Sequence, residues 1–200
     1  IAAAMRVLVE YGEIMDAERL IEISSAAGAN LYGPRHSRPL GSDDPVRLFS
    51  EYSLNSDRAV DDPPVRVPSC QLIGPIDRVH AGEVQNMPPQ AVAKVAESQA
   101  YLEGLGVSLL STCTPYQVGF LPEFGDHVAW MESSAVVFIN SVIGARTNAE
   151  GRESAAASML TGLPPEAGLH LDANRRADVR VRVETDIPGT FGWNALGYWL

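Results

Sequence analysis

The chain has 200 residues, 25 acidic against 15 basic, and a formal net charge of −10. That length suffices for one sizeable domain or one lobe of something larger, and a hydrophobic content of 46% excludes disorder over most of it. The acidic balance excludes nucleic acid or an anionic membrane as the main partner, yet a small anionic substrate needs only an arginine or two.

Taken in chain order, residues 2–15 place Met5, Leu8, Val9 and Ile14 on a helical period, and "RLIEI" (19–23) alternates as a short strand does. From Ser24 to Asn86 the pattern degrades into proline-rich sequence with the pairs Asp43-Asp44 and Asp61-Asp62. This predicts long loops with short pieces at 46–52 and 70–73, the kind of irregular segment that is usually functional or mobile. Order returns at 87–106, a helix entered through Pro88-Pro89 with Val92, Val95, Gln99 and Leu102 on one face. "VSLLST" (107–112) is β-prone and delivers Cys113 at its end. The helix-then-strand alternation, seen twice, predicts an α/β fold.

Residues 133–143 read as a helix, with Ser133 or Ser134 as its cap and Gly144 as its stop, although Val136 to Ile139 are also β-prone. Being apolar nearly all round, the element is expected to be buried, with partners for Asn140 and Ser141. A further helix is expected over 151–162, stopped by Gly162 and Pro164-Pro165. Residues 177–185 alternate strictly, Val179, Val181 and Val183 against Arg180, Arg182 and Glu184, which predicts a half-exposed strand near an edge. The Ala-rich opening and the apolar ending at Leu200 suggest an internal piece of a longer protein. Two cysteines far apart, without a CxxC pair, give no disulfide framework, and no apolar run approaches the ~20 residues of a membrane span. Both features favour a cytoplasmic location.

Two stretches could carry chemistry. Cys113 in "TCTPY" sits where a strand ends, the place where ligands bind in open α/β sheets. It is either a soft metal ligand or a buried free cysteine acting as a small hydrophobe. "ARTN" offers a guanidinium fork, a hydroxyl and an amide, Arg146, Thr147 and Asn148, suited to a carboxylate or phosphate, or else forms a self-bonded polar turn. His127 and His170 are weaker candidates, and His36 and His80 carry no signal.

The run "TCTPYQVGFLPEFGDHVAWMESSAVVFINSVIGARTNAEG", followed by "GLHLD" and "ALGYW", resembles the large or catalytic domain of the aconitase X family. The likeness is nearly continuous over 112–200, the better-matching part being 87–200, and returns over 2–23. It implies an aconitase-like layered α/β lobe with a parallel or mixed sheet, incomplete at both ends. The implied activity is dehydration of a small 3-hydroxy carboxylate, such as cis-3-hydroxy-L-proline or mevalonate 5-phosphate. The implied cofactor is an iron–sulfur cluster or a mononuclear iron, completed by cysteines beyond Leu200. A small swivelling domain or subunit is the implied partner. Carried over, Cys113 becomes the metal ligand. Ser133, Ser134, Asn140 and Ser141 become catalytic-wall residues, and Arg146, Thr147 and Asn148 hold substrate. The likeness breaks between 24 and 86. A His-Ile-Asp-Gly-like segment is missing there, and "VRVPSC" puts Cys70 where the family carries threonine. An inactive relative that retains an anion pocket is therefore the alternative.

Overall fold

The structure is a computed structural model that describes residues 1–28, 63–72, 80 and 83–200. His36 and the short piece expected at 46–52 lie outside the described residues. Four parallel strands form one sheet in the order β3-β2-β1-β4. They are β1 (Ser25–Ala27), β2 (Ser69–Gln71), β3 (Val107–Leu109) and β4 (Val128–Trp130). The chain therefore adds β2 and β3 on one side of β1 and then returns to place β4 on the other. That reversal opens a crevice between the carboxyl ends of β1 and β4, the position where open α/β sheets bind ligands.

Helices cover both faces. On one face α1 (Ala2–Ile14), α2 (Pro89–Gly104) and α4 (Arg152–Thr161) pack over Ala26, Val107 and Ala129. The buried stripe of α1 is Ala4, Val7 and Leu8, whereas Val9 and Ile14 point outward, so the face is rotated from the sequence expectation. Burying a leucine such as Leu8 contributes about 2 kcal/mol. Helix α2 begins with Pro89 in its first turn and buries Gln99 and Leu102, the face its sequence predicts. Residues Ser154 to Thr161 of α4 are all buried, because Ala155, Ala156 and Ala157 let the helix approach the sheet and α1 closely. It stops at Gly162, whose φ of +75° glycine adopts without strain.

The other face is covered by residues 133–143 and by the loop that follows β3. The helix expected there forms, but in two parts: α3 (Ser133–Phe138), then a wider π-type turn over Ile139–Ile143. Gly144 ends it at φ +78°, with Phe124 so close that a Cβ would lie 2.7 Å from that ring. The expectation of burial all round fails. Ala135, Val136 and Ile139 face the sheet, but Val137 and Val142 are 63% and 65% exposed. A one-sided helix with valines on both sides reads in sequence like a buried one.

Two strand expectations also need correction. "RLIEI" is extended, but it touches the fold only through an isolated antiparallel bridge of Leu20 to Pro165, with Ile21 and Ile23 N–H groups donating to Pro164 and Gly162 carbonyls. The ladder proper starts at Ser25. Residues 177–185 form no strand: they are exposed, Val179 by 76%, and pair with no described strand. Alternation specifies which way side chains would face, not that a partner exists. Past them runs α5 (Gly189–Trp199), with no buried residue and with Phe191, Trp193, Tyr198 and Trp199 all exposed.

Candidate active site at the carboxyl edge

At the exits of β1 and β4 a glycine meets a methionine. Gly28 follows β1 at φ +105°, and a Cβ there would stand 2.3 Å from Cγ of Met131, which follows β4. Only glycine lets the two strand exits approach so closely. Next comes Glu132, at φ +76° and ψ 113°, in a region that costs a non-glycine residue about 1–3 kcal/mol. Glu132 starts α3, and neither Ser133 nor Ser134 caps it; both serines are exposed at the helix opening.

The chain leaving β3 crosses this edge and brings the Cys113 thiol within electrostatic reach of the Glu132 carboxylate. Partial burial and that carboxylate both raise the pKa of the thiol, holding it protonated until a cation offsets the negative charge. Beyond Cys113, the short 3-10 turn Pro115–Val118 stacks Tyr116 on Phe138 of α3 at 3.9 Å, and Phe120 lies 5.6 Å from Trp130. These aromatic contacts anchor the loop across β4 and α3. Of the two readings of Cys113, burial as a small hydrophobe does not hold, because the thiol is exposed. Cys70 is the buried one, inside β2, its pKa pushed up to about 12 by burial. Glu132 carries no chemical signal in the sequence. Its meeting with Cys113 is a product of the loop crossing.

"ARTN" lies elsewhere. After the π turn the chain runs back alongside β4, with His127 bridging Arg146 in parallel. The Arg146 carbonyl accepts from the Val128 N–H, and the Arg146 N–H donates to Asp126. This is the amino end of β4, and Glu132 is five residues further along, roughly 16 Å at strand rise. The Arg146 side chain donates to the His170 carbonyl at 2.9 Å and pairs with Asp172 at 2.5 Å. Thr147 is fully buried: its hydroxyl accepts from the Trp130 N–H at 3.0 Å and donates to the Asn148 carbonyl at 2.8 Å. Asn148 donates to the Ala167 carbonyl and accepts from the Leu169 N–H. Asn140 brackets the turn, donating to the Val136 and Thr147 carbonyls and accepting from Thr147 N–H and Arg175. Ser141 is exposed beside it, at the far end of the helix from Ser133. The structure thus gathers Cys113, Ser133 and Ser134 at one edge and Arg146 at the other, with Thr147 buried alongside β4 as far as Trp130 and Asn140 and Asn148 bonded within the turn.

Two histidines that sequence left apart come together at that amino edge, His127 Nδ1 standing 2.9 Å from His170 Nδ1. Two clefts of about 540 and 280 Å³ also open there, around Arg66 and around Ser24 and Asp126, and neither is lined by Cys113 or Glu132. Among the described residues no group of three or more His, Cys, Asp or Glu side chains is arranged to hold a metal, and no helix is long and apolar enough to cross a membrane.

Comparison with known proteins bears on the fold and the family. The chain is 35% identical over 195 residues to the large subunit of phosphomevalonate dehydratase from Thermococcus kodakarensis, covering 98% of this chain and 45% of that protein. It is 34% identical over 184 residues to cis-3-hydroxy-L-proline dehydratase from Pseudomonas aeruginosa, covering 90% of this chain and 29% of that protein. The crystal structure of Thermococcus kodakaraensis aconitase X in its holo form superposes with a TM-score of 0.70 at 36% identity, over 98% of this chain and 45% of that one. The chain spans about half the length of the phosphomevalonate dehydratase subunits it matches. The family model for the aconitase X first domain matches residues 1–173, and the chain belongs to the aconitase X family.

Proposed function

We propose that this chain supplies the first part of the catalytic lobe of a hydro-lyase that removes water from a small 3-hydroxy carboxylate. Mevalonate 5-phosphate is the preferred substrate and cis-3-hydroxy-L-proline the alternative. Relatives named as phosphomevalonate dehydratase large subunits match nearly the whole chain at 35–37% identity, which supports that order. Their name also supports a smaller partner subunit. We read the protein as a cytoplasmic enzyme that acts without nucleic acid or membrane, for which the net charge of −10 is the support.

The observation that carries the reading is the exposed Cys113 thiol, set beside Glu132 and the exposed Ser133 and Ser134 at the strand-reversal crevice. A thiol kept protonated by a neighbouring carboxylate is suited to ionise when a cation arrives, which fits one corner of an iron or iron–sulfur site. The remaining ligands come from residues outside those described. Iron, when bound, supplies Lewis acidity at the leaving hydroxyl. Of the chain's own groups, Glu132 is placed to take or hold a proton beside the thiol, and Ser133 and Ser134 offer hydroxyls to substrate oxygen. Arg146, Thr147 and Asn148 serve this site indirectly, by fixing β4 and the turn behind it.

The test is iron per chain, together with dehydration of mevalonate 5-phosphate and cis-3-hydroxy-L-proline, in the full-length protein with its partner. Cys113→Ser should abolish bound iron, and Cys70→Ser should leave most of it. Equal loss in both variants would refute the assignment of Cys113. An iron-free wild-type protein without turnover would instead identify an inactive relative that retains an anion pocket.

A further inference from the structure

Residues 165–175 wrap the amino end of β4 in two short 3-10 turns, Gly168–His170 and Asp172–Arg175. Arg146 holds the His170 carbonyl, Asn148 holds Ala167 and Leu169, and Arg175 reaches the Asn140 and Ala145 carbonyls at 3.2 Å. These contacts use guanidinium, amide and backbone groups, which do not titrate between pH 4 and 8. The imidazole contact differs. His127 and His170 stack with ring centroids 5.1 Å apart and share one Nδ1-to-Nδ1 hydrogen bond of 2.9 Å. His170 is 1% exposed, and its Nε2 is buried with no hydrogen-bond partner. Such a bond requires one Nδ1 bearing hydrogen and one bare. A single added proton leaves it intact, but a second puts two N–H groups face to face.

We propose that the His127–His170 pair is an acid-released latch, which holds residues 165–175 on β4 while the pair carries at most one charge and frees them when both rings are charged. The surroundings set the threshold. Arg146 from the strand-like return and Arg175 from the second 3-10 turn oppose charging, while Glu166 from the preceding loop and Asp126 from the entry to β4 favour it. Glu166 is itself paired with Arg19, and Asp126 accepts from Ser24, which tempers both. Burial, then the neighbouring His127, pull His170 down to about 4; burial, then Arg146, pull His127 down as well. Unfolded imidazoles titrate near 6.5, so below that pH the unfolded segment binds more protons than the latched one. The latch is at full strength above pH 6.5 and weakens as pH falls towards 4. Because the chain continues directly into the exposed 177–200 stretch, release would also free the point from which that stretch departs.

The experiment is amide hydrogen exchange of the full-length protein between pH 7.5 and 4.5, corrected for intrinsic rates. Amides of 166–175 should lose about 10- to 100-fold in protection while those of α4 hold theirs. In His127→Asn, a side-chain amide stands near the Nδ1 position without titrating, so the difference between the two segments should shrink several-fold, with the burial of His170 accounting for what remains. Parallel behaviour of the two segments in the wild type, or an unchanged pH response in His127→Asn, would overturn the proposal. Should the variant lose protection already at pH 7.5, the wild-type imidazole titration followed by NMR decides. A His170 midpoint near 4 that coincides with release supports the latch, and an ordinary midpoint near 6.5 overturns it.

Discussion

The two ends of β4 are built on opposite plans. Arg146 at the amino end, and Thr147, Asn148, Asn140 and Arg175 behind the strand, are all bonded to backbone groups, and Thr147, which reaches the Trp130 N–H, is wholly buried. At the carboxyl end Cys113, Ser133 and Ser134 are exposed, and Glu132 holds a backbone conformation in which side-chain-bearing residues are rarely found. Polar groups whose hydrogen bonds are already made stabilise structure, whereas exposed groups on a strained backbone are free to meet a ligand. Within one family motif, the residues that look most like substrate contacts have their hydrogen bonds made within the chain. Glu132, which carries no chemical signal in the sequence, stands beside the exposed thiol.

That contrast is broken most directly at Glu132. Glu132→Gln in the full-length enzyme should lower kcat about 10²- to 10⁴-fold, as removal of a proton-transfer group does, with the melting temperature held or raised. Turnover within threefold of wild type would remove Glu132 from the chemistry. Thr147→Val sits in the bonded set behind the strand and should behave oppositely. It strips a buried acceptor from the Trp130 N–H and should cost about 1–3 kcal/mol in denaturant unfolding, while KM stays near normal. A raised KM with unchanged stability would return Thr147 to substrate binding. Arg146→Lys is the mildest of the three. Its partner Asp172 is 83% exposed, so losing the fork to Asp172 and the His170 carbonyl should lower stability by about 1 kcal/mol. Steady-state kinetics alongside a thermal melt check it: a 30-fold or larger loss of kcat/KM at unchanged melting temperature would place Arg146 on the substrate.

How much of this was legible follows from the kind of signal each feature leaves. Helices α1, α2 and α4 announce themselves through periodicity, an entering proline or a terminal glycine, because helical contacts are local. The alternating valines of 177–185 are an equally clear pattern, yet no strand forms, because pairing depends on a neighbour that pattern cannot supply. His127 and His170 were each visible as candidates, but their contact spans 43 residues and has no sequence mark.

Sequence alone determined the α/β class and the family, since both rest on residue type and order: a helix–strand alternation, and the long run from Thr112 to Gly151. It also singled out Cys113 as a thiol at the end of a strand. Tertiary structure decided which end of the sheet each motif occupies. The reversal between β1 and β4, and the loop from β3 that crosses to α3, bring Cys113 to Glu132. The return of the chain along β4 carries Arg146 to the opposite end. Nearness along the chain limits nearness in space only over a turn or two. Beyond that, the side of the sheet on which a strand is laid down decides what a side chain can touch.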